Sequence, residues 1–346
     1  MTDIASSALM MMIINKHRNL SEKTEKYYKR SLEKIMRDCG LTEYRQIIEH
    51  PAPIIEFLKT KKIPYQMNLI CIITVLLDSF KKYQMDLADK SILIPPSITT
   101  ADAALVLVRQ RQAILKTKLH DSKCSITKSV SQADNWCSYE DLRKCLLLRE
   151  KNAKKIIKRG IKTIKDLLEI QKWVICGLYV GDKENPPLRL DFINMSITTN
   201  NFYLESPHQN FLYCQSLRTK KFVLGEYKTS SKYGIKQIPL RPYLNRMINT
   251  WISARNEMIE DDGDPESEIV GGYHLLFNTK QKPLTESTMC CYMKEAFEPT
   301  GKHITANLIR HIYITDMTQN LSAEERKRIA GLMCHNLEMQ INYIKQ

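Results

Sequence analysis

Residues 193–240 decide the fold: INMSIT (193–198), FYLES (202–206), FLYC (211–214), KFVLGEY (221–227) and GIKQIPL (234–240). Each run is short, rich in β-branched or aromatic residues, and bounded by Asn, Ser, Pro or Gly. That is the pattern of strands, not helices. The runs follow one another closely, so a small antiparallel sheet is their natural assembly. On both sides of this stretch the apolar period returns to that of helices. The fold class that follows is mainly α with a small antiparallel β-sheet (α+β).

Upstream, SEKTEKYYKRSLEKIMRD (21–38) places Tyr28, Leu32, Ile35 and Met36 at helical spacing, with Ser21 as N-cap. Pro51 and Pro53 break the chain before IIEFLKT, and Pro64 breaks it again before QMNLICIITVLLDSFKKY. Pro95 and Pro96 end that block, and ADAALVLVRQRQAILKTKL resumes the helical pattern. Residues 1–118 therefore read as an all-helical domain. Residues 119–135 are polar and serine-rich without strong periodicity, and read as a linker. A second domain, 136–346, opens with a helix capped by Ser138. After the strands, Pro242 begins a helix whose apolar stripe is Leu244, Met247, Ile248, Trp251 and Ile252, and helices resume at Glu286.

Composition narrows the class. The 346 residues are 43% hydrophobic and 26% charged, which excludes a disordered, collagen-like or disulfide-scaffold chain. Lys and Arg outnumber Asp and Glu by 52 to 38, a net charge of +14 that suits a polyanionic partner. The ten cysteines form no CxxC pair, and several lie in apolar runs, as Cys71 does in LICIITVLL. They read as buried thiols of a reducing compartment, with no zinc site. Leu69 to Leu77 is about half of what a bilayer requires, so no membrane span is expected. ALMMMII (8–14) lacks a basic region before it and is followed by Lys16, His17 and Arg18, unlike a secretory signal. The expectation is an intracellular protein of nucleus or cytoplasm. Lys151, Lys154, Lys155, Lys158, Arg159, Lys162 and Lys165 make a concentrated basic run, suited to a phosphate backbone. The acidic loop around 259–268 is expected to face away from a polyanion.

Several polar positions in the second domain gain meaning from their order. Arg189 follows a Pro-Pro-Leu turn, with Asp191 two residues on. Lys228 precedes the TSSKYG loop. Asn307 and Arg310 share a helical face. His335 follows a helix opened by the capping box of Ser322 and Glu325, and Tyr343 comes after it. Arg, Lys, Asn-x-x-Arg-His, His, Tyr resembles the tyrosine recombinase (phage-integrase) family, whose boxes run Arg, Lys, His-x-x-Arg, His or Trp, and Tyr. PPLRLDFINM, EYKTSSKYG, NLIRHIYIT and GLMCHNLEMQINYIK are most similar to the eukaryotic branch of Crypton-type elements and large DNA viruses. The resemblance covers the second domain and extends weakly to the first. Two departures stand out: Asn307 replaces the usual histidine, and the step from His335 to Tyr343 is one residue shorter than the commonest spacing.

The resemblance implies a helical core-binding domain that clamps double-stranded DNA and a catalytic domain that cleaves and rejoins strands through a 3′-phosphotyrosyl bond. It implies Tyr343 as nucleophile and Arg189, Asn307 and Arg310 as donors to the phosphate oxygens. Lys228 would be general acid, His335 would stabilise the phosphorane and assist the phenol, and Asp191 would support Arg189. No metal or other cofactor is implied. A tetramer on DNA is implied, held by surfaces other than a tail, since only Ile344, Lys345 and Gln346 follow Tyr343. The alternatives are a type IB topoisomerase with the same chemistry, or a DNA-binding protein whose catalysis has lapsed.

Overall fold

The computed structural model describes residues 7–18, 20–88, 97–124, 127–201, 209–258, 274–318, 321–333 and 335–345. The chain divides into two compact units, Met1–Cys124 and Ser125–Gln346.

The regular elements of the first unit are all helices among the described residues: α1 (Ser7–Arg18), α2 (Glu22–Asp38), α3 (Arg45–Glu49), α4 (Pro51–Lys59), α5 (Ile63–Ala88) and α6 (Ser97–Cys124). Ser21 caps α2 by accepting from the Thr24 amide, and Pro51 sits in the first turn of α4. The helix α5 is long and apolar enough by composition to cross a membrane, which the count from Leu69 to Leu77 missed. Its Leu69, Ile70, Ile73, Leu76, Leu77 and Phe80 are the centre of this unit's core, packed with Leu32, Ile35, Ile47, Leu58, Val108 and Leu115. The segment expected to be a linker is largely helical instead. Helix α6 runs on to Cys124, and α7 (Val130–Asn135) forms behind a capping box in which Ser129 and Gln132 satisfy each other's backbone.

In the second unit, Ser138 and Asp141 form the capping box of α8 (Tyr139–Arg159), which stops at Gly160 with φ +83°. Thr163 caps α9 (Ile164–Val180), and this helix is buried almost all round, as its run WVICGLYV requires. Among the described residues four strands follow: β1 (Ser196–Thr198), β2 (Asn210–Cys214), β3 (Lys220–Leu224) and β4 (Lys236–Pro239), ordered β1-β2-β3-β4. The β2–β3 and β3–β4 pairs are antiparallel, with Leu212 opposite Phe222 and Phe222 opposite Ile238. The β1–β2 pair is parallel, with Ser196 opposite Phe211, so the sheet is mixed and not wholly antiparallel. A parallel neighbour needs a crossover connection rather than a tight hairpin turn. The run FYLES, between β1 and β2 in the sequence, lies outside the described residues, as does the acidic loop.

Buried Lys220 locks the β2–β3 turn to the helix that follows the sheet. Its ammonium donates to the carbonyls of Ser216 and Leu217 (3.1 Å each) and to Asn249 Oδ1 (2.5 Å). A short α10 (Ser230–Tyr233) joins β3 to β4. Then come α11 (Pro242–Asn256), α12 (Glu286–Ala296), α13 (Ala306–Thr318), α14 (Ala323–Leu332) and α15 (Leu337–Ile341). Trp251 of α11 is fully buried, stacks on Phe277, and donates from Nε1 to the Leu275 carbonyl. Gly177 lets α9 lie against α11, since a Cβ there would run into the Met247 side chain. The core of α9, α11, α13 and the sheet is the frame on which the polar centre stands.

Candidate active site

The loop after α9 is held from three sides. Tyr179 donates its hydroxyl to the Arg189 carbonyl (2.6 Å), Asn210 donates to the Asp191 carbonyl (3.0 Å), and Asp191 Oδ2 accepts the Arg189 amide (3.0 Å). Asp191 thus supports Arg189 through its main chain, and no ion pair joins the two side chains among the described residues. Burial raises the Asp191 carboxyl above its ordinary pKa despite the Arg189 amide and the nearby arginine charges.

Arg310, in the second turn of α13, is 1% exposed. One guanidinium nitrogen donates to the Pro187 carbonyl (2.6 Å) and the other to the Met333 carbonyl (3.4 Å). This fork ties the Arg189 loop to the turn that carries His335. Burial lowers its pKa, while the Tyr343 phenol and Asp191 favour its charge.

Tyr343 is 9% exposed and packs its ring against Arg310 and His335. The Arg310 Cζ lies 5.2 Å from the ring centroid, and His335 stacks on it at 5.4 Å with 19° between the planes. Burial alone would push its phenol upward. The charge and hydrogen bonding of Arg310, and after it of Arg189, outweigh burial and bring the net pKa below the ordinary tyrosine value. By contrast Tyr28, Tyr139, Tyr179, Tyr243, Tyr292 and Tyr313 all shift upward, burial being the largest cause in each.

His335 is 6% exposed, and its Nδ1 faces the Asn336 carbonyl at 3.1 Å. A carbonyl only accepts, so Nδ1 carries the proton and Nε2 presents a lone pair. That Nε2 is buried without a partner among the described residues. Burial first, then repulsion from Arg310, Arg189 and Lys236, takes the imidazole from 6.5 down to about 4, so it is neutral at pH 7. The unfolded chain takes up this proton more readily than the folded one. Stability from His335 is therefore complete above pH 6.5 and is lost as pH falls to about 4, at roughly 1.4 kcal/mol per pH unit. We expect urea titrations of a His335→Gln variant to lack that part of the acid slope; an unchanged slope would place the titration elsewhere.

Two expected residues stand apart. The side chains of Asn307 and Lys228 are exposed and make no hydrogen bond or ion pair among the described residues. The lysine whose charge reaches the centre is Lys236, at the start of β4, half-buried and bonded to the Gly331 carbonyl. Sequence reading missed it, because three lysines follow one another through 228–236 and spacing does not separate them. It also missed His311, whose Nδ1 lies 2.9 Å from the Tyr343 carbonyl. The only signal was its place directly after Arg310.

The basic run lines a groove of about 470 Å³ on α8, formed with Leu147 and Glu150 by Lys151, Lys154, Lys155 and Lys158. Lys154 pairs with Glu150 (2.6 Å), and Asp166 engages the Arg159 side chain and the Lys162 amide. Lys151, Lys155 and Lys158 remain as exposed cations without an ion pair among the described residues. Those residues contain no cluster of three or more His, Cys, Asp and Glu side chains fit to hold a metal.

Chemically, an acidified phenol between two guanidiniums and a neutral imidazole pairs a nucleophile with a receptor for an anionic electrophile. No family model matches the chain, and no curated protein matches it. Among solved structures it is similar to the crystal structure of XerA recombinase, at 11% identity over 99% of this chain and 94% of that one, with a TM-score of 0.39. A likeness that slight carries no functional weight, so the reading of this centre rests on its own geometry.

Proposed function

We propose that this chain is a tyrosine recombinase that cleaves and rejoins double-stranded DNA, serving the integration or excision of a viral or mobile element. One observation carries the reading: the Tyr343 ring is held with the Arg310 guanidinium 5.2 Å from its centroid and His335 stacked on it at 5.4 Å, where the charges of Arg310 and Arg189 favour the phenolate against burial. In the proposed step the Tyr343 oxygen attacks a backbone phosphorus in line. A bond forms between tyrosine and the 3′-phosphate as the bond to the 5′ oxygen breaks. The phenol proton passes to His335 Nε2 or to solvent, and a lysine protonates the departing 5′ oxygen. Arg310 and Arg189 neutralise the charge that grows on the non-bridging oxygens. Attack by a different 5′ hydroxyl on the phosphotyrosine reverses the chemistry and joins new partners.

The test is covalent capture. The protein is incubated with nicked duplexes of randomised sequence, whose short leaving strand diffuses away, and adducts are isolated after denaturation. We expect a DNA-linked peptide containing Tyr343. Adducts mapping to another residue, or none with any sequence in the pool, would overturn the proposal. The same assay separates the lysines, and we expect Lys236→Met to slow capture more than Lys228→Met does.

Backbone contact by the α8 groove has its own signature. Each phosphate neutralised contributes roughly 0.9 to the slope of log affinity against log salt, so a Lys151→Gln, Lys155→Gln pair should flatten that slope by about 1.8. An unchanged slope would return these lysines to a role in solubility.

A further inference from the structure

The main chain at Tyr343 is anchored to the same helix that carries Arg310. His311 Nδ1 donates to the Tyr343 carbonyl at 2.9 Å, and because a carbonyl only accepts, that nitrogen holds the proton. The His311 ring also packs on the Tyr343 ring, with centroids 4.7 Å apart and planes 47° apart. One turn on, Thr315 Oγ1 accepts the Lys345 amide at 3.0 Å and lies 3.5 Å from the same Tyr343 carbonyl. The two peptides that follow the tyrosine therefore meet α13, at positions one and five residues past Arg310. By contrast α15, which leads into the tyrosine, is only five residues long and exposes Leu337, Met339 and Ile341. So short a helix has little rigidity of its own.

We infer that His311 is the positioning residue of this centre: by gripping the Tyr343 carbonyl it sets the phenol over Arg310, so that nucleophile and phosphate receptor are registered on one helix. The inference rests on Tyr343 being the nucleophile. It gives His311 a task separate from those of Arg310 and His335, since it touches neither the phosphate nor the phenol oxygen. It also specifies which ring nitrogen matters. The amide nitrogen of asparagine falls close to Nδ1 of histidine, whereas that of glutamine falls close to Nε2. Asparagine should therefore restore the grip and glutamine should not.

The experiment compares His311→Ala, His311→Gln and His311→Asn in two assays. In covalent capture at saturating DNA, we expect Ala and Gln to slow adduct formation by about 10–100-fold, the loss that a displacement near 1 Å produces, with DNA affinity unchanged. We expect Asn to stay within about threefold of the parent. The second assay needs no DNA: hydrogen exchange of the peptide spanning residues 335–346 should quicken in Ala and Gln and return toward the parent rate in Asn. Equal behaviour of Asn and Gln in both assays would overturn the positioning role, whether both are impaired or both intact. If the parent forms no adduct, the nucleophile reading falls, and the exchange data still decide whether His311 holds the main chain at Tyr343.

Discussion

Arg310→Lys is expected to leave the protein folded and to slow adduct formation by on the order of 10³. The position demands the fork more than the charge. Arg310 is almost wholly buried, spans from the Pro187 carbonyl to the Met333 carbonyl, and still faces the Tyr343 ring. Lysine keeps the cation and can hold one carbonyl, but a point charge cannot reach two carbonyls and an anion together. Losing one preorganised donor of this kind commonly costs about 10²–10³ in rate, and here the same change also weakens the strongest influence acidifying the phenol. Burial would then dominate, and the Tyr343 pKa would rise. The pH at which adduct formation reaches its plateau should move to more alkaline values together with the loss in rate. Alanine is a poorer probe, because it orphans two buried carbonyls at about 1–3 kcal/mol each and confounds folding with chemistry. A lysine variant within tenfold of the parent, with an unshifted profile, would remove Arg310 from the centre.

The parts of this fold legible in the sequence are those with local causes. Ser21, Ser138 and Ser322 cap helices because a hydroxyl needs only the next turn to satisfy. The strands FLYC, KFVLGEY and GIKQIPL announce themselves by β-branched and aromatic content and bounding turns. The parallel pairing of β1 was not legible, because periodicity says that a residue run is extended and not which neighbour it takes. The helices at 119–124 and 130–135 were hidden by polar composition, since a serine-rich stretch looks like a loop until its capping box is recognised. The candidate site divides in the same way. Arg189, Arg310, His335 and Tyr343 could be picked out by type and order, and the fold draws them together. Lys236 and His311 could not, because what sets them apart is a main-chain carbonyl supplied by a distant element: Gly331 for one, Tyr343 for the other.

Tyr343→Phe should abolish the adduct altogether while changing little else near neutral pH. The substitution deletes one oxygen and leaves the ring between His335 and His311, so packing persists. The arginines lower the phenol's folded pKa, and a depressed folded pKa contributes stability on the alkaline side of its titration. That contribution is complete above the unfolded pKa of about 10 and is lost as pH falls through the lower folded value. Parent and variant should therefore diverge as pH rises through the folded pKa toward about 10, the parent being the more stable there. DNA affinity should hold, or rise slightly, because Arg310 and Arg189 lose a partner and become freer to meet a phosphate. Two independent results are thus tied to one oxygen. A covalent adduct surviving in the phenylalanine variant would show that another residue attacks the phosphate. Absence of the alkaline divergence would show that the arginines do not act on this phenol. Either result alone would detach the proposed chemistry from this centre.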